Sequence, residues 1–227
     1  SALAAISNAK NALIDCDTFA KEASDFYGRN IAQIYTAYQT ILNENDAVDF
    51  DDLLMLTAML LQQDCEVRES VQERFQYLMV DEYQDTNHTQ FVIANLIAKN
   101  HRNFCVVGDP DQSIYAWRGA DITNILDFEA QFSDCAVIPL GQNFRSTQHI
   151  VDAAASLIAH NKNRKEKRIY SELDQGEKPV VKTLMDEYEE ADTIVSEAIK
   201  YIEQGVPHKE IAVLYRVNAL SRVLEDA

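Results

Sequence analysis

No apolar stretch among the 227 residues reaches the length of a membrane-spanning helix, about 20 residues. The first residues read as helix rather than as a secretion signal, so no membrane partner is expected. Cysteine is scarce. Cys16, Cys65, Cys105 and Cys135 are far apart, form no Cys-x-x-Cys pair and have few histidines nearby. That spacing argues against a zinc site or a disulfide framework, fits a reducing, cytoplasmic setting, and leaves four isolated small apolar side chains. Positive charge is also short. Twenty Lys and Arg stand against 37 Asp and Glu, a net charge of −17. Nucleic-acid binders normally carry a basic footprint, so charge by itself argues against DNA. There is no internal repeat and no low-complexity segment. What remains is an ordinary globular composition, 47% hydrophobic and 25% charged, enough for one large core or two small ones.

The stretch that organises the chain is Tyr77-Leu78-Met79-Val80-Asp81-Glu82-Tyr83-Gln84-Asp85-Thr86-Asn87. A short apolar run without polar alternation reads as a strand buried on both faces, as in a parallel sheet. In open α/β sheets ligands bind outside the carboxyl ends of the strands, which is where Asp81 and Glu82 fall. An acid there can hold Mg²⁺, and a second can orient or deprotonate an attacking water. A strand ending in a solvated turn would read the same way.

Residues 1–45 carry apolar side chains at helical spacing with a polar break at 15–17, and Asp49 reads as the N-cap of a further helix. On periodicity, Phe50 belongs to that helix's core face. A polar helical segment leads to the 77–80 strand, a helix covers 88–99, and Phe104-Cys105-Val106-Val107 forms a second strand that closes a βαβ unit. Gly108-Asp109-Pro110-Asp111-Gln112 is dense in turn formers and reads as a loop. It leads to Tyr115, Trp117 and Arg118, two aromatic faces and a guanidinium. Bases stack on aromatics for about 1–3 kcal/mol each, whatever the base. A core role for Trp117, the only Trp, weighs evenly against this. One short helix is expected over 122–132, and the boundary between two α/β units near 133–134. In the second unit strands are expected at 137–140, 180–184 and 211–215, with helices after Ser146 or Thr147, over 189–204 up to Gly205, and from Ser221. A basic patch comprises Lys162, Arg164, Lys165, Lys167 and Arg168. Arg145, just before a helix start, could reach an anion or pair with a surface acid.

The chain resembles the UvrD/PcrA/Rep-type DNA helicases of superfamily 1. The resemblance runs nearly end to end, through Ile6-Ser7-Asn8-Ala9-Lys10-Asn11, Val48-Asp49-Phe50-Asp51-Asp52-Leu53, residues 81–87, residues 107–121, Gln142-Asn143-Phe144-Arg145-Ser146-Thr147 and Leu214-Tyr215-Arg216-Val217-Asn218-Ala219. It implies an α/β P-loop NTPase fold with two partial RecA-like motor lobes. Residues 1–48 would be a helical accessory segment, 49–135 the latter part of the first lobe and 136–227 the first part of the second. It further implies ATP and Mg²⁺ as cofactors, single-stranded DNA and duplex junctions as partners, and a role beside repair or replication proteins. By resemblance Asp81 binds Mg²⁺, Glu82 is the catalytic base, Gln112 senses the γ-phosphate, Arg145 is an arginine finger and Phe144 stacks on adenine. The family usually has Tyr at that last position. Phe50, Tyr115, Trp117, Arg118 and Asn218 match DNA-contacting positions, which replaces the core reading of Phe50.

No Gly-x-x-x-x-Gly-Lys-Ser/Thr phosphate loop occurs in these residues. The family's first motif is expected before Ser1 and its fifth and sixth after Ala227, so the chain reads as the middle of a helicase. Taken alone it is expected to be inactive as an ATPase, with an exposed sheet edge. The acidic total is tolerable if a narrow basic track touches few phosphates and stacking supplies the rest. The alternatives are a non-catalytic module binding single-stranded DNA or protein, or the helicase subunit of a helicase–nuclease.

Overall fold

Acidic side chains start most of the long helices. In the computed structural model, which describes residues 1–162, 164–165 and 167–227, α1 (Ala2–Asn11) is capped by Ser1. The next helices, α2 (Cys16–Glu22), α3 (Phe26–Glu44), α4 (Phe50–Gln63) and α5 (Cys65–Arg74), begin at Asp15, Asp25, Asp49 and Asp64. Each of these carboxylates accepts a first-turn backbone N–H that would otherwise be unpaired, and negative charge is favourable at that end of the helix dipole. At α4 the cap is reciprocal: Asp49 accepts from the Asp52 N–H at 2.7 Å and Asp52 accepts from the Asp49 N–H at 3.2 Å. Part of the chain's acidity is therefore structural.

Contacts divide the chain into two compact units, Ser1–Asn143 with Ala154–Tyr170, and Phe144–Ala153 with Ser171–Ala227. In the first, Ile6, Ala9 and Tyr35 bury α1 against α3, with Phe19 of α2 edge-on to Tyr35. Lys10 is fully buried there. Its Nζ lies 2.8 Å from Asp49 and 2.8 Å from Asp52, and Tyr38 donates to Asp49 at 3.0 Å. Asn11, one residue on, donates to Asp51 at 3.1 Å and accepts from Asn87 at 2.6 Å, while the Thr89 hydroxyl donates to the Asn11 carbonyl at 2.8 Å. Two adjacent polar residues thus fasten the end of α1 to the starts of both α4 and α6 (His88–Ala98).

Strands β1 (Leu78–Val80) and β2 (Phe104–Val106) pair in parallel, Leu78 opposite Phe104 and Val80 opposite Val106, with α6 between them in sequence. The expected burial of β1 on both faces is not met. Met79 is 72% exposed, Tyr77 is 82% exposed and Cys105 is exposed. Only the face bearing Leu78, Val80, Phe104 and Val106 is partly covered, because a two-stranded sheet has one layer against it and open space on the other side. Beyond β2, Phe104, Tyr83, Phe128 and Phe132 form an aromatic cluster with ring separations of 4.7–6.0 Å. Residues 122–132 form two short helices rather than one, α7 (Thr123–Leu126) and α8 (Phe128–Gln131), joined at Asp127. The break turns Phe128 and Phe132 onto Phe104.

The remaining elements are β3 (Gln142–Asn143), α9 (Gln148–Ile158), β4 (Tyr170–Ser171), α10 (Glu187–Glu203) and α11 (Ser221–Asp226). Helix α10 is capped by Asp186 and followed by Gly205 in the left-handed region at φ +95°. The strands expected at 137–140, 180–184 and 211–215 are absent among the described residues. Val181 and Leu214 are each 93% exposed. An apolar β-branched run becomes a strand only when a neighbour pairs its backbone, and no such ladder is present there. All four cysteines are free, with Cys65 and Cys105 exposed. No helix among the described residues is long and apolar enough to cross a membrane.

Candidate functional site

The carboxyl end of β1 runs directly into Asp81 and Glu82, both exposed. Glu82 adopts a left-handed backbone, φ +50°, a conformation that costs a non-glycine residue about 1–3 kcal/mol. The Asp81 carboxylate supports the turn by accepting the Glu82 N–H at 2.9 Å. The parallel ladder then extends one step, with Val107 N–H donating to Val80 and Tyr83 N–H to Val107. This brings the loop after β2 alongside the acids.

Gln84 joins the two loops. Its side chain is 1% exposed, its Nε2 donates to the Glu82 carboxylate at 2.7 Å, and its Oε1 accepts the Asp109 backbone N–H at 2.9 Å. The Asp109 carboxylate in turn accepts from Gln112 Nε2 at 2.7 Å. Gly108 is required by this approach, since a Cβ there would lie 2.5 Å from Gln84 Oε1 and 2.8 Å from Ile125 Cδ1. Burial opposes ionisation of Asp109, but hydrogen bonds from Lys167 and Gln112 outweigh it and hold the carboxyl below its ordinary value. Lys167 also pairs with Asp111 at 3.4 Å, Arg164 with Asp111 at 3.1 Å, and Lys165 with Glu129. Much of the basic patch is therefore matched to acids of the same unit rather than set out as a track for phosphates.

The aromatic loop is anchored to the same edge. Asp121 N–H donates to the Thr86 carbonyl at 2.9 Å, Asn124 donates to Thr86 twice at 3.1 Å, and Asn87 bridges Ala120. Trp117 is 72% exposed, which removes the core reading. The Arg118 guanidinium lies 4.6 Å from the Trp117 ring centre and 5.4 Å from that of Tyr115, so one cation already covers part of both rings. Phe50, at the first turn of α4, is 89% exposed, and the periodicity that assigned it to the core fails there.

Asp81, Glu82, Gln112, Tyr115, Trp117 and Arg118 all lie in the first unit, linked by the two loops. Phe144, Arg145 and Asn218 lie in the second, all exposed. Sequence reasoning missed Gln84 and the Asp109–Gln112 contact. The only signal was the polar Gln between acids on a segment entering the core, beside a glycine that opens the facing loop. A groove of about 380 Å³ lies elsewhere, around Tyr77, Met79, Arg102 and Cys105. Among the described residues no group of three or more His, Cys, Asp or Glu forms a metal cage. Mg²⁺ at phosphoryl-transfer sites needs only one or two carboxylates, its other positions going to water and phosphate, and the exposed Asp81 at a strand end fits that demand.

Two family descriptions together cover almost the whole chain. The UvrD/REP helicase N-terminal domain matches residues 1–133, and the UvrD-like helicase C-terminal domain matches residues 138–227. Proteins named ATP-dependent DNA helicase PcrA from Staphylococcus epidermidis and Staphylococcus aureus are each 46% identical over 224 residues, 99% of this chain. The chain spans 31% of the length of these relatives. Domain matches at both ends, in order, together with the strand-end acids and the anchored aromatic loop, lead to one assignment: the chain belongs to the UvrD/REP helicase family.

Proposed function

We propose that this chain is part of an ATP-dependent 3′→5′ DNA helicase, contributing parts of two RecA-like lobes. The observation that carries the reading is the anchoring of the aromatic loop, through Asp121 and Asn124, to Thr86, four residues beyond Glu82. A strand of DNA on that loop and a nucleotide at the strand ends would act on one hydrogen-bonded segment.

Asp81 would hold Mg²⁺, which supplies charge neutralisation at the phosphates. Glu82 accepts the proton of the attacking water, and Gln112 orients that water or touches the terminal phosphate. Arg145 and Phe144 are assigned to the phosphates and the base of the nucleotide. Trp117 and Tyr115 take stacked bases, Arg118 moves from their faces to a backbone phosphate, and Phe50 and Asn218 supply further DNA contacts. The phosphate-loop signature absent from these residues leaves nucleotide affinity weak in this chain taken alone.

The test uses the full-length protein containing this chain. Glu82→Gln should abolish DNA-stimulated ATP hydrolysis while nucleotide binding persists, and Trp117→Ala should weaken single-stranded DNA binding. Wild-type hydrolysis by Glu82→Gln would overturn the reading.

A further inference from the structure

We infer that Gln84 is a positioning residue for hydrolysis, holding Glu82 and the Gln112 loop in register through one buried amide. The inference rests on the roles proposed above for Glu82 and Gln112.

Glu82 is exposed and sits on a left-handed turn, so its own backbone does little to fix where the carboxylate points. The Gln84 amide does. A backbone N–H can only donate, so the Gln84 atom that meets the Asp109 N–H is the carbonyl oxygen, and the amide nitrogen must face Glu82. The same nitrogen lies 3.4 Å from Asp85, and the Gln84 backbone carbonyl accepts from the Ser113 hydroxyl at 3.4 Å. Both ends of the side-chain amide are therefore used on one of the two loops. Through Asp109 the arrangement continues to Gln112 Nε2, giving an ordered sequence Glu82, Gln84, Asp109, Gln112. Neither functional side chain touches the other in it. Their separation is set by the length of the Gln84 amide and by the absence of a side chain at Gly108.

Hydrolysis depends steeply on such placement, with a misplacement of about 1 Å costing on the order of 100-fold. Gln84 does not touch substrate in this account. It acts by keeping the base and the orienting amide a fixed distance apart.

The experiment compares wild type, Gln84→Met, Gln84→Glu and Glu82→Gln in the full-length protein. It measures kcat and KM for DNA-stimulated ATP hydrolysis, binding of a fluorescent ADP analogue, and the thermal midpoint. Met keeps the length and volume and removes the amide. Glu keeps the shape but replaces the donor with an acceptor facing another carboxylate. The expected result is a fall in kcat of at least about tenfold for both Gln84 variants, with KM and analogue affinity within about threefold of wild type. A parallel fall in midpoint, KM and kcat would show a merely structural residue and overturn the inference. So would wild-type kcat in Gln84→Met beside an inactive Glu82→Gln, which leaves the proposed function standing. Wild-type turnover by Glu82→Gln would overturn both. If Gln84→Met fails to fold, Gln84→Glu carries the comparison.

Discussion

Replacing Lys10 by Met should unfold the first unit far more readily than the loss of one surface charge would. Lys10 is wholly buried, and its ammonium meets Asp49 and Asp52 at 2.8 Å each, with Asp52 itself fully buried. Met fills nearly the same volume but strips the counter-charge from two carboxylates. Removing one partner of a buried ion pair costs about 3–5 kcal/mol, because an uncompensated charge stays behind. For a chain of this size that corresponds to about 6–20 °C in thermal midpoint. Circular dichroism of the 227-residue chain during urea and thermal denaturation measures it. The double variant Lys10→Met/Asp52→Asn should recover part of the loss, since Asn keeps an acceptor for the Asp49 N–H while removing one stranded charge. The pH dependence is fixed in sign. Burial opposes the charge on Lys10, but Asp49 and Asp52 outweigh it and raise the ammonium above 10.5. Burial likewise opposes ionisation of Asp49, while Lys10, the Asp52 N–H and Tyr38 lower it below 3.8. The stabilisation is thus complete between those two values. It fades as pH falls through the depressed carboxyl value, or rises through the elevated ammonium value. A Lys10→Met penalty below about 1 kcal/mol at neutral pH would refute this account of a buried counter-charge.

Three further outcomes follow from single contacts. Gly108→Ala should destabilise the chain by about 1–3 kcal/mol in urea, because the new Cβ meets Gln84 Oε1 at 2.5 Å and Ile125 Cδ1 at 2.8 Å. Unchanged stability would mean the two loops are not in close contact. Tyr83→Phe should leave urea stability unchanged or raise it by up to about 1 kcal/mol, since the buried Tyr83 hydroxyl has no partner among the described residues. A loss beyond that would reveal a partner for the hydroxyl. Asp109 is held below 3.8, so its contribution is present above that pH and disappears as pH falls through the lowered value. Lys167→Ala should lower urea stability at neutral pH, by an amount that shrinks as that carboxyl is protonated. A constant difference at every pH would sink the pairing.

The parts of the fold legible in the sequence are those whose cause is local. Asp49 and Gly205 act on the backbone beside them, and the β1–α6–β2 order follows from apolar runs flanking a helix with its own capping box at Asn87 and Gln90. The runs at 180–184 and 211–215 look the same in sequence as 104–107, yet only the last has a parallel neighbour to accept its N–H groups. Pairing is not a property of the run itself. Phe50 shows the converse, since helical spacing fixes which residues share a face but not whether anything covers it. At the site, Asp81, Glu82 and the aromatic loop stood out by residue type. Gln84 did not, because its importance lies in a glycine 24 positions away that lets its amide approach a second loop. Lys10 and Asn11 were visible only as part of a resemblance, and their bonds to the starts of α4 and α6 explain why polar residues end this packed helix.

The fastening of α1 also has a consequence for the order of synthesis. Asn11 finds Asn87 and Thr89 across 76 and 78 residues of chain, and Lys10 finds Asp49 across 39. A ribosome adding about 5–20 residues per second leaves α1 without its last partners for about 4–16 seconds. During that interval the Lys10 ammonium can find Asp49 and Asp52 first, so the helical segment closes on α4 before α6 exists to receive it. Of the three elements it joins, α1 is made before α4 and α6 and is fully held only once α6 has appeared.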